Sequence, residues 1–595
     1  MRLSIKQTIA AIKLASRAFR SYRGYIALLA LLSFLSGLLE GIGVNAVIPL
    51  LAIVTGAASG GSDAISKAIE SLFVLVNVDF SIKFILIFII ILFVLKTAAV
   101  LFINYIKVRI SASYEQEMRT SLFQNMLGSN WQYLLDQKLG HLETILMTNI
   151  RFASEFLGQI SEVIIVGIGL VIYTTIALNI DVRITLLTLA IGFFLLLVLR
   201  PLLTRTRTAA VATAAANREA AHYINESVSG MKTIKAFGTS QIIANRGDRL
   251  FKHFRDLRIR TMLLKSIGSS LFQPISVVFV SVIFAVSYKL PGFEFASLVA
   301  VVYLIQRIFS YIQQLQGNLH NMTESIPYLE HVLAYEEETM RFQDIPSGRE
   351  RFRLIENIAF DKVAFTYDNK TPVLSNLTLS IPKGSFCGIV GPSGSGKTTL
   401  VDLLLRLFQP TSGSITIDGV PINEIAIKDW HAKVGYVSQD LFLTNDTVAN
   451  NILFYDDSFS DAELKEAAKK AHCLDFVEKL PLGFNTPVGE RGVRLSVGQR
   501  QRIVLARVLI RKPEFLVLDE ATSALDNESE AQVQKVIEAL KGEMTVLAIA
   551  HRTSTIVNAD HIFVMGDGTV IEEGEPQKLL ANPGSAFHKL VNVGS

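Results

Sequence analysis

Six apolar stretches, near residues 25–54, 84–106, 160–178, 184–203, 268–289 and 295–317, set the first limit on what this chain can become. Each comes close to or exceeds the roughly 20 residues that carry a helix across about 30 Å of hydrocarbon. Inside lipid no water is available to backbone N–H and C=O groups, so such stretches must satisfy themselves as helices. Residues 1–330 are therefore expected to form an α-helical membrane domain with six transmembrane helices. The whole chain cannot lie in lipid, because 18% of it is charged. At 595 residues, two or three folded units are the starting expectation.

Charge placement orients the helices. Residues 1–24 carry Arg2, Lys6, Lys13, Arg17, Arg20 and Arg23 and no acidic residue, and the apolar run after them is too long for the core of a signal peptide. A basic flank before the first span belongs in the cytoplasm. The third and fourth spans are joined by the short turn Asn179–Arg183, whereas Tyr114–Ile150 and Arg205–Arg260 are long, charged and patterned as helix. These longer connections are expected on the cytoplasmic side, with a break near Trp131 and Tyr133 in the first of them. Taken alone, they read equally well as plain solvated helices.

From about Glu330 the pattern changes to short β-rich runs alternating with amphipathic helices. This predicts a linker at 331–354 and a soluble α/β domain with parallel strands at 355–595. Its two cysteines, Cys387 and Cys473, cannot build a disulfide framework and suggest a reduced, cytosolic setting. No Cys/His cluster has zinc spacing, and a net charge of +4 over this length leaves no nucleic-acid footprint.

Two motifs carry chemistry. Gly391, Pro392, Ser393, Gly394, Ser395, Gly396, Lys397 and Thr398 satisfy G-x-x-x-x-G-K-[ST], after the apolar Cys387–Val390 and before a helical run that starts at Thr399. Glycines let backbone N–H groups converge on phosphate oxygens, and the helix N-terminus adds a field that favours an anion. Lys397 then suits the β- and γ-phosphates of a bound nucleotide, and the Thr398 hydroxyl suits Mg²⁺. Phe515–Leu518 reads as a buried strand ending in Asp519 and Glu520. Carboxylates at that end face the nucleotide site, where Asp519 can hold the metal through water and Glu520 can orient or deprotonate the attacking water. A carboxylate pair alone could equally cap the next helix.

Leu495, Ser496, Val497, Gly498 and Gln499 lie upstream of that strand, and with them the C-terminal half resembles the ATPase domain of ABC transporters. Their signature motif usually has glycine where Val497 stands, while Ser496 and Gly498 match the positions that contact the γ-phosphate across a dimer. The resemblance further implies that Tyr367 stacks on adenine and that Gln439 senses Mg²⁺. It makes Ser523–Asp526 the loop linking the two sites, with Asp526 at its end, and gives His551 a γ-phosphate contact. Gly489–Gly492 looks like the exporter loop that touches membrane-domain helices, and Asn225–Phe237 and Trp131–Gly140 look like the two cytoplasmic coupling loops. The implied fold is a six-helix membrane domain with long cytoplasmic extensions, followed by an α/β P-loop NTPase domain of ABC type.

The resemblance implies a half-transporter. Phosphate loop and signature meet only between two such domains, so a homodimer with two sites is implied, working by alternating access driven by ATP and Mg²⁺. Membrane domain before ATPase domain on one chain resembles exporters, and about 24 residues ahead of the first span leave no room for a leader-processing protease domain. Localisation as a multi-pass protein of the inner or plasma membrane, with N-terminus and ATPase domain cytoplasmic, is implied too.

Charges inside the spans bear on the cargo: Glu40 in the first, Lys96 in the second and Arg307 in the sixth. Such groups are costly in lipid and mark candidate substrate contacts, though ion pairing with Glu40 or snorkelling explains the cations equally well. Gln306 with Gln313, and Arg307 with Gln314, repeat at seven residues on one helical face. Basic groups in an apolar cavity suit an amphipathic lipid or lipid-linked glycan with an anionic head. The run from Leu39 through Gly43 to Pro49 resembles flippases for such lipids. A hydrophobic drug or peptide exporter is the alternative cargo reading, and an ATP-gated channel or regulator the alternative class.

Overall fold

Apolar sequence becomes long helix, with the stretch 268–289 divided at Leu271 between two helices. The computed structural model describes residues 19–47, 49–50, 53, 64–75, 77–137, 139–287, 295–343, 347–367, 371–520, 527–550 and 556–593. In it α1 is Arg23–Asn45, α2 Ala64–Leu75, α3 Ile82–Leu127, α4 Ile150–Ile180, α5 Val182–Ser229, α6 Ser240–Ser270, α7 Phe272–Ser287 and α8 Phe295–Arg341. Five helical segments among the described residues are long and apolar enough to cross a membrane: Arg23–Asn45, Ile82–Leu127, His141–Ile180, Val182–Ser229 and Ser240–Val286. The sixth expected stretch, 295–317, lies in α8. With 46 residues α3 is about 69 Å long, well beyond a bilayer core, which explains why its C-terminal part is polar. Short helices at Trp131–Asp136 and Met231–Ala236 interrupt the two long polar connections.

Local chemistry closes the α4–α5 turn, where the Asp181 carboxylate accepts the N–H of Ile184 at 3.0 Å and caps α5. Packing then needs small residues. Gly37 and Gly41 sit one helical turn apart on α1, and a Cβ there would lie 2.5 Å from Ile172 and 2.6 Å from Ile176 of α4. Lipid chains are as apolar as the helix faces, so such close backbone approach supplies much of the attraction. Where the helices leave the apolar zone, Phe19, Tyr114 and Phe156 take over, with Phe19 and Tyr114 edge to face at 4.9 Å.

The chain divides into two compact units, Met1–Ser129 with Tyr133–Gln343, and Asn130–Gln132 with Asp344–Ser595. The second unit is built on two sheets. Strands are β1 Asn357–Phe365, β2 Leu374–Pro382, β3 Phe386–Val390, β4 Ser412–Ile417, β5 Val420–Pro421, β6 Val434–Val437, β7 Phe515–Asp519, β8 Thr545–Ile549, β9 His561–Gly566 and β10 Thr569–Gly574. The larger sheet has the order β10-β9-β3-β8-β7-β6, parallel except for the antiparallel edge β10. A smaller antiparallel sheet runs β2-β1-β4-β5.

Every residue of β3, β7 and β8 is buried, as a parallel sheet covered on both faces requires. Alternation then divides the core. Leu516, Leu518, Val546 and Ala548 face one cluster, while Phe515, Val517, Leu547 and Ile549 face another around Trp430. Cys387 and Cys473 are buried free thiols, and burial pushes them up to about 11 and about 12, so neither is a reactive thiolate at neutral pH.

Asp418 ties the start of the second unit to the β4–β5 turn. Its carboxylate accepts the N–H groups of Ile355, Glu356 and Asn357 at 2.6, 2.7 and 2.9 Å. Partial burial opposes its charge, but these bonds and Lys383 overcome that and hold the carboxyl below its usual range. A depressed carboxyl contributes stability above its unfolded value near 3.9, lost as pH falls through the lower folded value. Asp418→Ala should therefore lower the unfolding temperature of the full chain at pH 7. The gap to wild type should narrow at about pH 3, and a gap independent of pH would remove the carboxylate from this role.

Candidate functional site

Phosphate-loop geometry begins where β3 ends. Gly391 has φ +157°, and a Cβ there would fall 2.3 Å from the carbonyl of Met565 on β9. Gly396 has φ +95°, a left-handed backbone that favours glycine, and starts α9, Lys397–Leu404. The first N–H groups of a helix have no partner within it, so the loop and helix start together present donors. Lys397 is buried and folds back over the loop, its ammonium donating to the carbonyls of Gly391 and Pro392, both at 2.9 Å. Burial lowers its proton affinity, against the opposing pull of Glu520 and Asp519. Ser395 is buried and its hydroxyl has no hydrogen-bond partner. An anion with several acceptor oxygens fits that donor set.

The facing wall is carboxylate. Asp519 ends β7 and is 3% exposed. Glu520 comes next with φ +49°, its N–H bonded to the Ile549 carbonyl on β8 at 3.0 Å. Gln439, just past β6, donates its side-chain amide to the Glu520 carboxylate at 2.7 Å. The register Val437↔Leu518 between β6 and β7 brings these two strand ends side by side. Gln439 and Glu520, 81 positions apart in the chain, are thus gathered at the carboxyl ends of neighbouring strands, as open parallel sheets gather their sites.

Two neighbours of Asp519 escaped the sequence reading. Asp402, in α9, has its carboxyl pushed up to about 6 by burial and by the Asp519 charge. Tyr436 on β6 bonds Asp519, and burial with that carboxylate raises its phenol. A sequence signal existed for Asp402, which stands one helical turn beyond Thr398.

Tyr367 is brought to the same loop. Its hydroxyl lies 3.0 Å from that of Thr399, and its ring meets Phe365 and Phe408 edge to face at 4.9 and 5.3 Å. Pro392, Ser393, Gly394 and Thr398 are exposed at the loop surface. The contacts of Ser496 are local to a different helix, α10 (Val497–Leu509): its hydroxyl accepts the Gln499 N–H at 3.2 Å, and the Gln499 side chain accepts the Ser496 N–H at 3.0 Å. This capping box fixes the helix start. Gly498 is buried, and Val497 is partly buried against the core, which shows how a valine fits at that place. Asp526 and His551 lie outside the described residues.

In the first unit Glu40, Lys96 and Arg307, from three different spans, meet. Glu40 on α1 is buried, lies 2.9 Å from the Lys96 ammonium of α3 and pairs directly with the Arg307 guanidinium of α8. The guanidinium also stands over the rings of Tyr173 and Tyr311, 5.5 and 5.2 Å from their centres. The glutamines behave otherwise: Gln313 donates to the Ser269 carbonyl at 3.0 Å, Gln314 to the Ser310 hydroxyl at 3.1 Å, and Gln306 is exposed.

Residues 27–315 match the ABC transporter transmembrane region, and 374–523 match the ABC transporter ATPase segment. The chain is 32% identical to the heterocyst differentiation ATP-binding protein HepA of Nostoc sp., over 79% of this chain and 77% of that one. It is 30% identical to the ATP-dependent lipid A-core flippase of Coxiella burnetii, over 84% and 85% of the two chains. The protein of that name in Photorhabdus laumondii is 31% identical over 81% and 84%. A bacterial Atm1-family ABC exporter solved with ATP bound superimposes with a TM-score of 0.76, covering 97% of this chain and 98% of that one at 24% identity, a likeness of fold. With both regions matched in order on one chain, this multi-pass membrane protein belongs to the ABC transporter family, whose ATPase domain drives transport.

Proposed function

We propose that two copies of this chain form an ATP-driven flippase or exporter for an amphipathic lipid or lipid-linked glycan. The observation that carries the ATPase part is the meeting of Lys397, Gln439, Asp519 and Glu520 beside the phosphate loop. Lys397 would move from its loop carbonyls to the β- and γ-phosphates, while Ser393–Thr399 wrap the remaining oxygens. Thr398, Gln439 and, through water, Asp519 would hold Mg²⁺, which supplies charge neutralisation to the phosphates. The Tyr367 ring would stack on adenine.

Glu520 is the general base of this reading. It accepts the proton of the attacking water, and Gln439, 2.7 Å away, keeps the carboxylate aimed. Ser496, Gly498 and Gln499 would reach the γ-phosphate of the partner copy, with Asp526 and His551 contributing as their resemblance implies. ATP would then clamp two ATPase domains together and hydrolysis would release them, which is the two-state element that alternating access needs. The ATPase domain and N-terminus would lie on the cytoplasmic side of an inner or plasma membrane.

Support for a lipid cargo comes from relatives named lipid A-core flippase and from two cations in the apolar half. Cells depleted of this protein should accumulate a lipid precursor on the cytoplasmic leaflet. An unchanged lipid profile by mass spectrometry would sink the cargo assignment and leave the ATPase reading intact.

Glu520→Gln in nanodiscs should keep ATP binding and lose about a hundredfold or more of phosphate release; undiminished turnover would exclude Glu520 as base. Asp402 supplies a pH test of the site's electrostatics. A carboxyl raised to about 6 contributes stability that is full below its unfolded value and lost as pH rises through the folded one. Asp402→Asn should accordingly melt above wild type at about pH 7.5 and converge with it at about pH 4. A lower melting point at both would mean that the charged carboxylate is needed.

A further inference from the structure

Three spans each bring one charge into the apolar half, and the three charges meet. Within 84–106 the only charged residue is Lys96, within 295–317 it is Arg307, and past Arg23 at its start α1 carries only Glu40. No sequence periodicity could produce that meeting, which depends on how α1, α3 and α8 are packed. One carboxylate against two cations leaves the cluster at +1.

Exposure within the cluster is graded. The Glu40 side chain is 6% exposed, against 21% for Lys96 and 31% for Arg307. The carboxylate is thus the most deeply buried of the three, and this chain leaves part of each cation's side chain uncovered. The Glu40 contact does not saturate Arg307, whose Nε is buried without a hydrogen-bond partner. Tyr173 and Tyr311 hold the guanidinium from their faces and compete for none of its charge with a formal anion.

We propose that Glu40 is a resident counter-anion whose place on Lys96 and Arg307 is taken by the anionic head of the cargo. The inference rests on the lipid reading above and names the residue that sets its charge selectivity. A phosphate group bearing one or two negative charges brings the cluster from +1 to zero or below, and a bidentate guanidinium contact is better matched to it than a single carboxylate oxygen. Entry of the head moves both cations off Glu40, so the ion pair linking α1 to α8 opens as the cargo binds. A neutral or cationic amphiphile gains nothing at this site and meets the +1 charge. Glu40 thereby keeps the cations neutralised between cargoes, without which they would sit in an apolar region at full cost.

The test compares wild type, Glu40→Gln, Glu40→Asp and Arg307→Ala in phosphatidylcholine nanodiscs with increasing fractions of phosphatidic acid. The readout is the ratio of stimulated to unstimulated ATP hydrolysis. Removing the competing charge in Glu40→Gln should lower the half-stimulating fraction of phosphatidic acid by about tenfold. Arg307→Ala should raise it. Where Glu40→Gln fails to assemble, Glu40→Asp, which keeps the charge but withdraws it by one methylene, should move the midpoint the same way by less. A wild-type response that both Glu40 variants leave unmoved, or move upward, overturns the counter-anion role and spares the lipid reading. No response to phosphatidic acid in any of the proteins overturns both.

Discussion

Backbone hydrogen bonding in a medium without water is the constraint that dictates the first half of this molecule. Each apolar stretch must close its own N–H···O=C ladder, and the ladder does not stop where the lipid does. Helices of 46 and 48 residues result, with Pro201 inside α5 and Pro327 inside α8 absorbed rather than ending the helix. Long helices of one continuous hydrogen-bond pattern are stiff over their length. Polar sequence such as Tyr114–Leu127 is therefore held as helix by the apolar turns that precede it, although its own pattern would support only a marginal helix in water.

The same medium explains where charge is tolerated. Glu40, Lys96 and Arg307 would each be expensive alone in hydrocarbon, and bringing them to one place lowers that cost by mutual neutralisation. Packing makes the meeting possible. Gly37 and Gly41 let α1 approach α4 to within the reach of Ile172 and Ile176, which fixes the face of α1 that carries Glu40. Small residues set the distance, and distance decides whether a buried charge is paired or stranded.

How much of this could be read from sequence depends on whether the signal is local. The phosphate loop and the strand before it are contiguous, so their spacing picked them out, whereas the Asp519–Glu520 pair needed the neighbouring motifs to tell it from a helix cap; length and polarity pointed to the membrane helices. Contacts made by register or by helix packing were not visible. Nothing in the sequence places Gln439 against Glu520, a contact that arises from β6 pairing with β7. Tyr436 reaches Asp519 for the same reason. Lys96 and Arg307 could be read as substrate contacts, as snorkelling cations or as partners of Glu40, and only the packed helices show one carboxylate serving both. Val497 departs from the glycine usual at its place, and its side chain rests partly against the core beside a capping box that needs only Ser496 and Gln499.

One of the strained residues lies where chemistry is proposed. Glu520 adopts φ +49°, a conformation that costs a non-glycine residue on the order of 1 kcal/mol or more. Two contacts hold it there: the N–H bond to Ile549, which fixes the backbone to β8, and the Gln439 amide on the carboxylate. The left-handed turn ends β7 abruptly, and that directs the Glu520 side chain along a course different from a continued strand. A relaxed backbone at this position would align Glu520 with the alternation of β7, on one or other buried face of the sheet. The strained residue thus keeps its carboxylate out of the core and beside Lys397 and Asp519, so backbone strain here is the means by which a strand end presents two acids to one loop.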